Sequence, residues 1–252
     1  MKKDSDSLYS KEKKLKNMFD HIAHKYDLIN RILSFGIDLI WRKKTIHLLC
    51  KFNKKKVQKI LDLATGTGDI AILLANKFKH AFITGLDPSD KMIKIAKQKI
   101  KNNFFEKRVQ IIQGYSQNIP FQNETFDIVT IAFGIRNFQY IHDSVREIYR
   151  ILKPSGILVI LEFSKPSNYW IKKIYYFYFH LVKKIGNFIS KNHFAYNYLK
   201  ESILSFPYCN RKMNKLLKYH KFDTIHIQKL TFGIVSLYFF KKKNDKIHFY
   251  NI

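Results

Sequence analysis

The chain has 252 residues, 46% of them hydrophobic, which suffices for one large domain with a full core. Its formal charge of +27 is nearly all lysine, spread from end to end, whereas base and phosphate recognition favours the arginine fork. The charge therefore reads as a compositional bias shared with abundant Ile, Phe, Tyr and Asn, with attraction to anionic lipid as its consequence and nucleic acid not expected as a partner.

The opening "MKKDSDSLYSKEKKLK" has no apolar core of a signal peptide, and no uncharged apolar run approaches the length of a bilayer span. Cys50 and Cys209 lie far apart and match no metal spacing, so a reducing, cytoplasmic setting without a metal is expected. Residues 1–56 read as an N-terminal helical cap. "KLKNMFDHIAHKYDLINRIL" places Leu15, Met18, Phe19, Ile22, Tyr26 and Ile29 at helical spacing, and "GIDLIWRKKTIHLL" continues after Gly36. From Val57 strands alternate with helices. "VQKILDL", "AFITGLD", "RVQIIQG", "FDIVTIAF" and "GILVILEF" are the strands, with Pro154-Ser155-Gly156 as the turn into the fifth. Helices run from Asp69 to Phe78, through "SDKMIKIAKQKIK" behind Ser89 or Asp90 as N-cap, and through "DSVREIYRIL". Continuous apolar strands divided by helices imply a parallel sheet covered on both faces, here residues 57–165. Residues 166–215 carry an aromatic, lysine-bearing helical stretch, "YWIKKIYYFYFHLVKKIGNFI", read as a lid over the core or a surface for a lipid-like substrate. Residues 216–252 supply a closing antiparallel pair, "TIHIQKL" and "IVSLYFF", and a solvated basic tail after Phe240. The four parts form one structural domain.

The chemistry concentrates at "ILDLATGTGDIA". Gly66-Thr67-Gly68 lets main chain approach a small ligand, and Asp87 follows at the offset of a ribose-binding carboxylate, which alone would suit a nicotinamide dinucleotide. Asp62, four residues before Gly66, changes the balance. A carboxylate at that strand end suits a cationic adenosyl sulfonium and repels a diphosphate, and Asp69 at the helix start is expected to add to the repulsion. "GYSQNIPF" then fits a strand end closing around an adenine.

"NMFDHIAHKYDLINRILSFGIDLIWRKKTI", "ILDLATGTGDIA", "FDIVTIAFGIRNF", "YRILKPSGILVILEFSKP" and "YLKESILSFP" together closely resemble the ubiquinone/menaquinone biosynthesis C-methyltransferases. "FGIRN" and "LEFSKP" carry most of the specificity, because many methyltransferases share the glycine turn. The resemblance, from about Met18 to Phe240, implies a Rossmann-like class I fold: a mostly parallel seven-stranded sheet with helices on both faces. It implies methylation of a polyprenylated quinol by S-adenosylmethionine, with demethylmenaquinol the first choice and a 2-polyprenyl-6-methoxy-benzoquinol the alternative. It also assigns residues. Thr67 and Asp87 match cofactor contacts, joining Asp62, Gly66 and Gly68. Tyr115 and Ser116 match the pair beside the adenine, although the family usually has Asp or Asn where Tyr115 stands. Arg136 and Asn137 fall at the reacting ring, Arg136 supplying charge to a phenolate and Asn137 orienting the ring. Tyr26 matches a tyrosine that closes over the site. Attachment to the inner face of the membrane is expected, and a homodimer is left open.

Two other classes compete. A nicotinamide oxidoreductase rests on the glycine turn. A nucleic-acid methyltransferase rests on the charge and on "NIPF", Asn118 to Phe121, which precedes the fourth strand where an amino-methylating motif would close it.

Overall fold

The computed structural model describes residues 2–53, 55–178 and 193–244. Five parallel strands, β1 (Lys59–Leu63), β2 (Phe82–Asp87), β3 (Val109–Gln113), β4 (Phe126–Ala132) and β5 (Leu152–Phe163), join an antiparallel pair, β6 (Phe222–Leu230) and β7 (Val235–Lys242). The sheet order is β3-β2-β1-β4-β5-β7-β6. Strand order therefore reverses between β1 and β4, and the carboxyl ends beside that point form the crevice where such sheets collect ligands.

The apolar strand runs account for burial on both faces. Ile60, Val159 and Phe239 belong to one core layer, while their neighbours Leu61, Leu158 and Phe240 belong to the other. Adjacent strand residues point to opposite faces, so a strand apolar at every position needs cover on both sides. α3 (Asp69–Lys77), α4 (Asp90–Asn102) and α5 (Ile141–Ile151) supply part of it. α4 buries Met92, Ile93, Ala96 and Ile100, and Ser89 caps it by accepting from the Met92 N–H at 3.2 Å. Truncating a fully buried side chain such as Leu61 to Ala costs about 2–5 kcal/mol.

The cap is two helices, α1 (Lys2–Leu33) and α2 (Ile37–Phe52), turning at Gly36 with φ +75°. α1 reaches further toward the N-terminus than its apolar period indicates, since neither glycine nor proline interrupts the chain before Gly36. It lies across the start of α4, where Asp20 accepts from the Ser89 hydroxyl at 2.7 Å and the Lys91 N–H at 3.0 Å. After β5 come a helical segment over residues 169–178, called α6, then α7 (His193–Ser205) and α8 (Arg211–Tyr219). The rest of the aromatic stretch, residues 179–192, lies outside the described residues, as do residues 245–252 of the tail.

Two expectations are corrected. Pro154-Ser155-Gly156 is not a turn before β5 but lies inside it, because Leu152 already pairs with Phe126 and the register shifts before Ile157 meets Ile128. Nor is the chain solvated directly after Phe240. β7 runs on to Lys242, whose buried ammonium donates to the Leu152 carbonyl at 2.8 Å and sits 4.6 Å from the Tyr149 ring centre.

Candidate active site

Two cavities meet at the carboxyl edge of the sheet. The first is small, about 100 Å³, and lies over the tips of β1, β2 and β3. The chain leaves β1 through a turn in which Gly66 and Gly68 have φ of +56° and +84°. The positive φ at Gly68 favours glycine, and a Cβ there would come 3.2 Å from that of Ala96 on α4, a tight approach that adds to the strain. Asp87 at the tip of β2 braces the turn. It accepts from the Gly66 N–H at 2.9 Å with one oxygen and from the Ser89 N–H at 2.9 Å with the other. Asp62 is bound by hydroxyls, accepting from Thr65 at 2.6 Å and Thr130 at 2.7 Å. Burial pushes both carboxyls up to about 6, against the pull of these hydrogen bonds.

The cavity brings together some of the expected cofactor residues and not others. Gly66, Asp87, Tyr115 and Ser116 line it, together with Tyr26 and Asn137. Asp62, Thr67 and Gly68 are not among its lining residues. The Thr67 hydroxyl instead donates to Asp27 of α1 at 2.7 Å and accepts from Lys99 at 3.2 Å. The Ser116 hydroxyl pairs with that of Ser144 at 2.8 Å, while Tyr115 stays 38% exposed, within reach of a ligand face. Asp69 departs from its expected role. Arg31 and Lys99 each pair with it at 2.7 Å. Burial alone would raise its carboxyl, but Arg42 and Lys99 outweigh that and hold it below the ordinary carboxylate range. Its charge is thus neutralised locally, so it adds nothing to the repulsion of a diphosphate that was expected of it.

The second cavity is larger, about 550 Å³, and mainly apolar. Ile29 and Leu33 of α1, Trp41 of α2, Tyr175 of α6 and Ile203 of α7 are among its walls. Phe19, Tyr26 and Phe133 line both cavities and form the partition between them. Phe19 meets Tyr26 edge-on with ring centres 6.1 Å apart.

Arg42 and Arg136 both line this apolar wall; Arg42 pairs with Asp38 of its own helix at 3.6 Å, and Arg136 lies at the β4 edge. The "FGIRN" segment leaves β4 as a short 3-10 turn, Ile135–Asn137. Gly134 is required because a Cβ there would lie 2.5 Å from that of Ala64 at the end of β1. The Arg136 side chain is held by named acceptors. Nη1 donates to the Phe133 carbonyl at 2.5 Å and to Glu162 at 2.8 Å, and Nε donates to the Ser202 hydroxyl at 3.4 Å. Glu162, only 1% exposed, also accepts from the Arg136 and Phe163 main-chain N–H groups. Burial alone would lower the arginine's pKa, but the Glu162 carboxylate outweighs it and holds the guanidinium above its ordinary value. Among the described residues no acceptor takes Nη2, which leaves that nitrogen for a ligand in the cavity Arg136 lines. Arg136 is therefore one half of a buried ion pair, which makes it a directed donor more than a net charge. Asn137 accepts at Oδ1 from the Tyr198 hydroxyl at 2.8 Å.

Glu162 and Tyr198 escaped the reading of single positions, though both stand in motifs already picked out. A carboxylate inside the apolar run "GILVILEF" signals a buried partner. Among the described residues no group of three His, Cys, Asp or Glu is placed to hold a metal ion.

Comparison with known proteins supplies the rest. The ubiE/COQ5 methyltransferase family matches residues 7–242. The Ubiquinone/menaquinone biosynthesis C-methyltransferase UbiE of Wigglesworthia glossinidia brevipalpis is 41% identical over 230 residues, 90% of each chain. The Demethylmenaquinone methyltransferase of Thermotoga maritima is 47% identical over 191 residues, 75% of this chain and 80% of that one. Among solved structures, a SAM dependent methyltransferase from Aquifex aeolicus superimposes with a TM-score of 0.58 at 15% identity, covering 78% of this chain and 88% of that one. The [4+2]-cyclase SpnF superimposes at 0.64 and 14% identity, covering 91% and 95%. Those two share the fold, and since one is a cyclase, the fold alone does not choose the reaction.

Proposed function

This chain belongs to the ubiE/COQ5 methyltransferase family, and from that premise we propose that it methylates demethylmenaquinol to menaquinol. It is an S-adenosylmethionine-dependent C-methyltransferase of quinone biosynthesis. The observation that carries the finer reading is the shared wall. A small cavity with the Asp87 carboxylate at a strand tip meets a larger apolar cavity that Arg136 lines, with Phe19, Tyr26 and Phe133 between them.

S-adenosylmethionine supplies an electrophilic methyl group on sulfur. The protein's part is to hold donor and acceptor in line and to make the ring carbon nucleophilic. Asp87 stands where a ribose would lie, and each of its oxygens retains a lone pair beyond the main-chain N–H it already accepts. Tyr115 offers its ring and hydroxyl on the adenine side. An oxidised quinone ring is electron-poor, so the acceptor is the reduced quinol. Negative charge on its oxygen, left when the hydroxyl gives up its proton to solvent, is met by Arg136 Nη2, and the Asn137 amide presents N–H groups from the cofactor side. The ring carbon then takes the methyl group as the C–S bond breaks, and the ring proton leaves to restore the quinol. Tyr26, lining both cavities, covers the junction and keeps bulk water from it.

The same reading extends to the membrane. Phe35, Ile174 and Phe232 line the apolar cavity yet are 81%, 68% and 79% exposed, so they mark its mouth. A prenyl tail leaves there, beside exposed Tyr169, Trp170 and Phe177 of α6, with Lys172 and Lys173 facing anionic head groups. No described helix is long and apolar enough to cross a bilayer.

The test is a quinone profile by mass spectrometry in cells lacking this activity. Restoration of menaquinone upon expression of this chain is the expected result. Restoration of only the methylated benzoquinone would move the assignment to the alternative acceptor.

A further inference from the structure

Two adjacent residues of the 3-10 turn, Arg136 and Asn137, are each gripped from the same face of α7. The Tyr198 hydroxyl donates to Asn137 Oδ1 at 2.8 Å. One helical turn later, the Ser202 hydroxyl oxygen accepts from Arg136 Nε at 3.4 Å while it donates to the Leu199 carbonyl at 3.0 Å. Residues four apart on a helix stand one above the other, so a single face delivers both contacts. From this geometry we infer that α7 is the positioning element for the reacting pair, and that Tyr198 decides which end of the Asn137 amide faces the methyl acceptor.

The argument is one of donors and acceptors. A primary amide carries one oxygen and one NH₂ at opposite sides of the same carbon, and without a fixed neighbour it can present either. Tyr198 claims the oxygen. The NH₂ is thereby left toward the smaller, cofactor-side cavity that Asn137 lines, where it meets an acceptor oxygen that reaches past the Phe19, Tyr26 and Phe133 partition. An oxygen turned that way would repel the phenolate oxygen of an ionised quinol, whereas the N–H groups stabilise it. Tyr198 can serve as donor throughout the working range, because burial pushes its hydroxyl up to about 12. Its ring is held in turn by Phe19 of α1, edge-on with centres 6.3 Å apart. The Ser202 contact is longer and bent to a second duty, so it steadies Arg136 less than Glu162 does.

This inference rests on the quinol reading for its kinetic consequence but not for its geometric one, and two measurements separate them. Tyr198→Phe removes the hydroxyl and keeps the ring against Phe19. It is expected to lower kcat by about 10²-fold, the scale of a misplaced group, with KM changed less than about threefold and S-adenosylhomocysteine binding unaltered. Asn137→Ala is expected to lose as much, and the double variant no more than Asn137→Ala alone, because the tyrosine acts through the asparagine. Ser202→Ala should cost only about threefold. Wild-type kcat in Tyr198→Phe, or losses that multiply in the double variant, would overturn the inference. Independently of turnover, nitrogen-labelled protein reports the Asn137 side-chain NH₂ by nuclear magnetic resonance. A shifted or exchange-broadened pair in Tyr198→Phe supports the positioning role, and an unchanged pair overturns it. Should the wild-type protein methylate no quinol, the functional reading fails, and the resonance experiment alone decides this one.

Discussion

The two cavities are built by different physics. The cofactor side is made of main chain: its turn is pinned by Asp87 to the Gly66 and Ser89 N–H groups, with Asp62 buried behind. The acceptor side is made of side chains from α1, α2, α6 and α7, elements that reach the sheet by separate routes. Hydrogen bonds to main chain tolerate little displacement, whereas an apolar wall can repack around substrates of differing bulk. The comparison teaches where each kind of selectivity resides. On the proposed reading, donor identity belongs to the half built on main chain, and acceptor identity to the apolar half, where Arg136 supplies a directed donor.

That division breaks most visibly at the arginine. Arg136→Ala should reduce kcat by about 10²- to 10³-fold, the effect of losing one donor to the phenolate oxygen of the ionised quinol, while S-adenosylhomocysteine still binds. It also leaves Glu162 buried without its cation, which costs about 3–5 kcal/mol of stability. Arg136→Met combined with Glu162→Gln separates the two effects. Thermal unfolding should return toward the wild-type midpoint while turnover stays lost. Recovery of turnover in that double variant would deny Arg136 its chemical role.

The rigid half is tested by Asp87→Asn, which should weaken S-adenosylmethionine binding by about 10- to 10²-fold in calorimetry, since charged hydrogen bonds are worth about 1.5–3 kcal/mol. A pH series sharpens the same point. Burial raises Asp62 and Asp87 to about 6, so their carboxyls take up a proton more readily in the fold than in the unfolded chain. Their contribution to folding stability is therefore full below the ordinary carboxylate range and is lost as pH rises through about 6. Binding of a cationic donor runs the other way, because it needs the carboxylates. Affinity should fall about tenfold per carboxylate from pH 7 to pH 5, about a hundredfold for the two, and the slope should halve in Asp87→Asn. A pH-independent affinity would remove these carboxylates from the donor site.

The smallest effect is expected at the rim of the adaptable half. Trp170→Glu places an anion beside the proposed lipid surface and should lower turnover of a long-tailed quinol in anionic vesicles by about fivefold, on the scale of roughly 1 kcal/mol for one interfacial charge. A short-tailed, water-soluble quinol should be turned over at the wild-type rate. Equal losses with both acceptors would place Trp170 in folding rather than in membrane contact.

Legibility in the sequence follows the same division. The strands were readable from their apolar runs, and the glycine turn from its spacing, because both are consequences of neighbouring residues. Ser89 as the cap of α4 is equally local. The neutralisation of Asp69 was not readable, since it depends on Arg31 and Lys99, brought in by α1 and α4. The same holds for Arg136, whose character changes once Glu162 of β5 lies at 2.8 Å. Lys242 reads as part of a solvated run until β7 carries it onto the Leu152 carbonyl. In each case the charge is legible in the sequence and its partner is not, because pairing across the fold leaves no periodic trace.

The most direct measurement is single-turnover transfer of an isotopically labelled methyl group from S-adenosylmethionine to demethylmenaquinol held reduced, with the oxidised quinone as control. The account predicts label in the ring methyl of menaquinol from the reduced acceptor alone. Label incorporated equally from the oxidised quinone, or none from the quinol while S-adenosylhomocysteine binds, would contradict it.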